Sequence, residues 1–242
     1  IVLSPAKSLD LESPSPTDHH TIPDFIPHAA ELIDVLRGYS PAAIGELMKL
    51  SDALSVLNVG RYAHWQAEHS EARQAVMSLN GDVYAGFDAR SLDAAAIDYT
   101  QERVRILSGL YGLLRPLDRM HPYRLEMGTR WAPRRARLTD WWGDRIATAL
   151  REAANGAPVL NLASQEYWAA VEGRLGDLRI VSVDFREGDR FVSFHAKRAR
   201  GSMARWMVEH HVADVDAMRG FDADGYRYDA EGSTANRWTF RR

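Results

Sequence analysis

Residues 179–195 read RIVSVDFREGDRFVSFH. Ile180, Val181, Val183 and Phe185 are β-branched or aromatic, and a turn signal follows at Glu187-Gly188-Asp189. Phe191 to His195 resumes the apolar pattern. The spacing predicts two strands, 179–185 and 191–195, paired antiparallel across that turn. A helix from Ala196 to about Val212 is expected directly after them. Upstream, Val159-Leu160-Asn161-Leu162 has the look of a short buried strand, and Ser164 opens another helix. Strands that feed helices in this way place the chain in the α/β class with a mixed sheet.

The remaining segments extend the same alternation. Ile1 to Leu3 is a strand end running into Ser4-Pro5, and 11–23 is a polar, Pro-rich connector. Phe25, Ala29, Leu32, Ile33 and Leu36 recur at helical spacing over 24–37. Ser40-Pro41 starts a helix to Leu50, and Ser51 caps one over 52–68. After the Asn80-Gly81 turn, Asp82 to Phe87 resembles a strand. Ser91 opens a long helix to Leu107, which Gly109 and Gly112 break. Residues 115–138 read as ordered loop. Thr139 caps a helix from Asp140 to Ala154, ended by Asn155-Gly156, and Arg237 to Phe240 is a final strand. No repeat or linker interrupts the chain, so 1–242 is expected to form one compact domain.

Composition supports a folded globule. A length of 242 residues is enough to bury about 70% of the open chain's surface. Hydrophobic residues make up 45% and charged residues 26%, ordinary globular usage. Cysteine is absent, which excludes disulfides, thiolate catalysis, Cys-ligated zinc and iron–sulfur clusters. That absence fits a cytoplasmic protein, as does the lack of an apolar leader or membrane-length apolar run. The net charge of −3 gives no global attraction to nucleic acid. Lysine is scarce: only Lys7, Lys49 and Lys197 stand among 30 basic residues. Lys49 lies in an ordinary amphipathic helix. Lys7 and Lys197 sit in motifs, where a compact ammonium is not interchangeable with a guanidinium.

Four constellations could carry chemistry. SPAKSLD at 4–10 puts Lys7 just beyond a strand end, where α/β sheets gather ligands, although a solvated loop lysine explains it equally. FHAKRARG at 194–201 puts Lys197, Arg198 and Arg200 in the first turn of the helix expected from Ala196. That is the wrong sign for a helix start unless an anion sits there. LSGLYGLLRPLDRMHPYRLEMG at 107–128 offers the Gly109–Gly112 turn, whose amides could face a phosphate, or which could be a plain helix cap. Nine arginines against four acids follow between 115 and 151, either a basic footprint or a loop pinned by carboxylates. NLASQEY at 161–167 repeats the strand-end pattern, with Ser164 placed as an N-cap rather than a nucleophile.

Other sites are missing from the sequence. It contains no Walker loop and no G-x-G-x-x-G fingerprint. His64 and His69 do not share a helix face, adjacent His210 and His211 diverge, and H-E-x-x-H is absent. Neither a metal nor a cofactor is expected.

Taken together, SPAKSLD, LSGLYGLLRPLD, PYRLEMG at 122–128, WWGD at 141–144, NLASQEY and FHAKRARG resemble the YaaA family of peroxide stress proteins. The resemblance implies an α/β fold of unusual topology, a helix-hairpin-helix-like element and a basic cleft. It also implies binding of duplex DNA and a role in limiting intracellular iron and oxidative DNA damage. His195 departs from the aromatic expected before Ala196.

Two functions follow. In the first, Lys7, Arg115, Arg124, Lys197, Arg198 and Arg200, with the Gly109–Gly112 amides, hold DNA phosphates with little sequence preference. In the second, Lys7, Tyr123, Glu126, Asn161, Ser164, Glu166 and Lys197 line an enzyme pocket for a nucleotide, nucleobase or small anion. An open groove favours the first, and a closed cavity holding both lysines favours the second.

Overall fold

A computed structural model describes residues 1–68 and 71–242. Its centre is a seven-stranded mixed sheet. In chain order the strands are β1 (Val2–Leu3), β2 (Arg105–Ser108), β3 (Gly112–Leu114), β4 (Val159–Asn161), β5 (Ile180–Arg186), β6 (Arg227–Asp229) and β7 (Arg237–Arg241). Across the sheet the order is β6-β7-β5-β4-β1-β2-β3. The five inner strands are parallel, and only β6 and β3 run against their neighbours. Parallel strands end at the same edge, so Ser4, Ser108, Asn161 and Arg186 meet at the carboxyl edge.

Beside a single helical turn at Ala75–Ser78, the α-helices are α1 (Ile26–Leu36), α2 (Pro41–Met48), α3 (Asp52–His64), α4 (Asp82–Phe87), α5 (Ala94–Arg103), α6 (Leu138–Trp142), α7 (Arg145–Ala154), α8 (Gln165–Trp168) and α9 (Ser193–Glu209). Ser40 and Ser51 cap α2 and α3 through their hydroxyls, as their spacing suggested. Val181, Val183 and Phe185 of β5 point into the core, with alternate residues half-buried. Among the described residues, no helix is long and apolar enough to cross a membrane. His69 lies outside the described residues.

Several segments differ from the sequence reading. Asp82 to Phe87 is helical, and Tyr84 and Phe87, one turn apart, are both buried. A run of six residues is too short for periodicity to separate helix from strand. Here packing decides: Gly86 of α4 and Gly201 of α9 let the two backbones touch. Residues 191–195 are not a strand either. Both neighbours of β5 are parallel, β4 and β7, and α9 starts at Ser193. Lys197, Arg198 and Arg200 therefore lie beyond the first turn, and the helix-end anion site expected there loses its basis.

The long helix expected to open at Ser91 starts later and stops earlier. Asp93 caps α5 by accepting from the Ala96 amide at 2.8 Å, and the chain leaves the helix after Arg103. Arg105 to Leu114 is then a β-hairpin, with Ser108 opposite Gly112. The Gly109–Gly112 turn thus joins two strands, and no helix-hairpin-helix forms there. Two helices do pack as a hairpin at α2–α3, across Lys49–Ser51. The helix expected from Thr139 is divided into α6 and α7 at Gly143, whose φ is 54°.

Candidate site at the carboxyl edge of the sheet

Leaving β1, the chain places Ser4 beneath the start of α8. Ser4 Oγ accepts from the Ser164 amide at 2.8 Å and donates to Ser164 Oγ at 3.2 Å. Ser164 occupies the N-cap position of α8, but its hydroxyl caps nothing and is used by Ser4 instead. Tyr84 of α4 donates to the Ser4 carbonyl at 2.9 Å. From β2, Ser108 Oγ shares a 2.6 Å hydrogen bond with the Tyr123 hydroxyl and accepts from the Tyr111 amide. Both side chains are buried. Burial pushes the Tyr123 phenol up to about 12, even though Ser108 works the other way. Tyr84 and Tyr167 are raised by the same cause. These hydroxyls stay protonated at neutral pH, and Tyr84 acts as a neutral donor to the Ser4 carbonyl.

Above this layer lies a charged triad. Lys7 Nζ is 3.0 Å from Glu126 Oε2, and Arg124 reaches Glu126 Oε1 at 2.9 Å. The triad carries a net positive charge. Arg124 is mostly buried, whereas 62% of the Lys7 side chain is exposed. Pro5, Ala6, Tyr123, Leu125 and Tyr167 line a narrow crevice around the triad. Glu166 accepts from the Gly128 amide at 3.2 Å, tying the 122–128 loop to α8.

The second cationic group is on α9. Gly81, at the start of α4, lies against Ala6, and Gly86 packs on the Arg198 carbonyl. Five residues of helix span about 8 Å, so α4 sets the spacing between the Lys7 loop and the Lys197 turn of α9. Lys197 and Arg198 are exposed and, among the described residues, face no carboxylate. Arg200 is half-buried, and desolvation lowers its guanidinium's affinity for the proton, with Asp184 opposing. His195 is tied to Glu187, which also holds Arg242.

Some expected members are elsewhere or already occupied. Gly109 and Gly112 are buried: a side chain would strike the Leu125 carbonyl at the first and Trp142 at the second. Neither reaches the surface to meet a phosphate. Arg115 follows the antiparallel β3 and sits at the opposite edge of the sheet, beside Asp118 and Asp24. Asn161 joins β4 to β5 by donating to Ser182 Oγ, and its oxygen accepts from Ala163. Sequence reading missed Ser4, Ser108, Tyr84 and Tyr167. Tyr84 lay in a segment assigned the wrong element and Ser108 directly followed one read as helix, which hid their places on a helix face and at a strand end. Ser4 and Tyr167 did lie inside the SPAKSLD and NLASQEY motifs.

The geometry defines a mixed α/β protein with a cationic rim at the carboxyl edge of a mostly parallel sheet. Comparison with known proteins places it further. The family model described as peroxide stress protein YaaA matches residues 1–232. A UPF0246 protein of Ralstonia nicotianae is 52% identical over 252 positions, covering 100% of this chain and 98% of its own. UPF0246 proteins of Ralstonia pickettii and Chromobacterium violaceum are each 50% identical over the same share. The chain belongs to the YaaA family of peroxide stress proteins.

Proposed function

We propose that this protein binds duplex DNA along its cationic rim, with little preference among sequences, and thereby limits DNA damage during peroxide stress. The observation that carries this reading is the pair of exposed cations on α9, Lys197 and Arg198, set across α4 from the Lys7–Glu126–Arg124 triad. Cations without local acids recruit phosphates and release counterions. Family membership supports the stress role.

The catalytic alternative needs both lysines inside one cavity. Lys7 is mostly exposed, Lys197 stands on the open helix face, and Asn161 is engaged in the scaffold. These features favour a surface over a pocket. The iron-limiting role implied by the resemblance has no residues assigned to it. Among the described residues, no three His, Asp or Glu side chains group as metal ligands.

The test is duplex binding measured by fluorescence anisotropy across a salt series. Affinity should fall with a log–log slope of about −0.9 per phosphate neutralised. No binding at about 50 mM salt, or a flat salt response, would sink the proposal.

A further inference from the structure

Most phenylalanines of this protein are packed inside. Of seven, Phe87, Phe185, Phe221 and Phe240 are fully buried, and Phe25 packs edge-on against Trp142. Phe191 and Phe194 differ, at 57% and 56% exposed. They stand just past the carboxyl end of β5, where the chain turns into α9. Arg190 precedes them. Lys197 and Arg198 lie three and four residues beyond Phe194, so all three share one stripe of the helix.

The acids of this loop are already engaged. Glu187 binds Arg242 and His195, and Asp189 binds Arg241 at 2.7 Å. Hydrogen bonding from Arg242 holds the Glu187 carboxyl below its usual range, so it remains ionised and paired. Among the described residues, Arg190, Lys197 and Arg198 have no carboxylate partner. Two exposed rings therefore share a short segment with three uncompensated cations.

We propose that Phe191 and Phe194 form a stacking platform for unpaired bases of single-stranded DNA, while Arg190, Lys197 and Arg198 hold its phosphates. This deepens the DNA-binding reading above and rests on it. Every base offers a π-face to an aromatic ring, and every nucleotide brings a phosphate, so rings beside cations suit a single strand of any sequence. Intact duplex hides its π-faces in the stack. It can use the cations but not the rings. The charge selects this occupant over an apolar protein surface, which would leave three cations unanswered.

The experiment compares an oligothymidylate of about 15 nucleotides with a duplex of similar length, by anisotropy at low salt. Phe191→Ala and Phe194→Ala should each weaken single-strand binding about five- to tenfold. The double variant should lose about thirtyfold or more, with duplex affinity within about twofold of wild type. Phe194→Trp should preserve the single-strand affinity. Lys197→Ala with Arg198→Ala should weaken both substrates. Melting temperatures check that the exposed-ring variants fold, and sedimentation checks their association state.

Unchanged single-strand affinity in the double variant, with duplex binding intact, overturns the platform and leaves the duplex reading standing. An equal loss on both substrates also overturns it, because the rings would then act without regard to base exposure. A change in association state with unaltered DNA affinity assigns the rings to contact between copies of this chain and overturns it as well. If wild type binds neither substrate, the underlying DNA-binding reading fails and the platform with it.

Discussion

The β-hairpin at 105–114 and the helix α9 at 193–209 carry similar sequence cues, and the fold uses them oppositely. Each has glycines and cations following or within a strand-end motif. In the hairpin, Gly109 and Gly112 are turned inward against Leu125 and Trp142. Arg115 beyond it is spent on Asp118, Asp24 and the Ile22 carbonyl. On α9, Gly201 is also buried, against Val83, but its role is to dock α4. The cations one turn earlier stay in water and, among the described residues, pair with no acid. A count of arginines says little until each one's partner is known. Of the nine between 115 and 151, Arg115, Arg119, Arg124, Arg137, Arg145 and Arg151 have partners within the fold.

The comparison is sharpest at the glycines. A Cβ at Gly201 would lie 1.8 Å from the Val83 carbonyl oxygen, and one at Gly109 would lie 2.1 Å from that of Leu125. Helix propensity favours Gly201→Ala by about 1 kcal/mol, but backbone cannot yield as a flexible side chain can. Overpacking costs about 1–3 kcal/mol or more. Gly201→Ala and Gly109→Ala should therefore each destabilise by about 2–3 kcal/mol in urea melts. A Cβ at Gly60 in α3 would meet nothing within 4 Å among the described residues. Gly60→Ala should stabilise by about 0.5–1 kcal/mol. Stabilisation by Gly201→Ala would mean that α4 and α9 do not touch there.

Arg115 and the α9 cations should separate by readout. Asp118 is almost wholly buried, and desolvation raises its carboxyl even with Arg115 beside it. Arg115→Ala should cost about 2 kcal/mol of stability by stranding that carboxyl. It should leave the salt dependence of DNA binding unchanged. Lys197→Ala or Arg198→Ala should do the reverse: little loss of stability, with the log–log salt slope reduced in magnitude by about 0.9 each. A reduced slope for Arg115→Ala would place the phosphate contacts at the wrong edge of the sheet.

The smallest expected effect concerns acid. His28 packs against Phe25, Trp141 and Trp142, and Phe25 and Trp142 cover Gly112 of the hairpin. Burial lowers its pKa below the ordinary value, with Arg145 adding to the effect. The unfolded chain then binds the proton more readily, so stability is present above about pH 6.5 and is lost as pH falls toward the folded pKa. Wild type should melt lower at about pH 5.5 than at about pH 7.5, and His28→Phe should shrink that difference. An unchanged difference would remove His28 from the hairpin's support.

Much of the fold was legible from local chemistry. The strands at 159–161 and 180–186 are rich in apolar and β-branched residues, 237–241 sets Trp238 and Phe240 about Thr239, and Ser40-Pro41 and Ser51 announce their helices by capping. The mixed α/β class and the motif lysines followed from those signals. The segments 82–87 and 191–195 are misread because each is short, and 105–107 because it follows a helix without a break in the apolar pattern. At that length an apolar run fits either period, and only its neighbours choose. Helix contact chose for 82–87, sheet pairing for 105–108, and the absence of a strand partner for 191–195.

The candidate site divides in the same way. The sequence by itself determined the chemical inventory: two motif lysines, Glu126 and Arg124 in one loop, hydroxyls after strand ends, and no cysteine. Tertiary structure alone decided which of these meet. Ser4 and Ser164 are 160 residues apart and share a hydrogen bond. Parallel pairing of β1 with β2 and β4 brings the ends of those strands to one edge, whereas the antiparallel β3 carries Arg115 to the other. Strand direction is set by long-range pairing and core packing rather than by residue type. That is why a sequence can name the groups of this site but not assemble them.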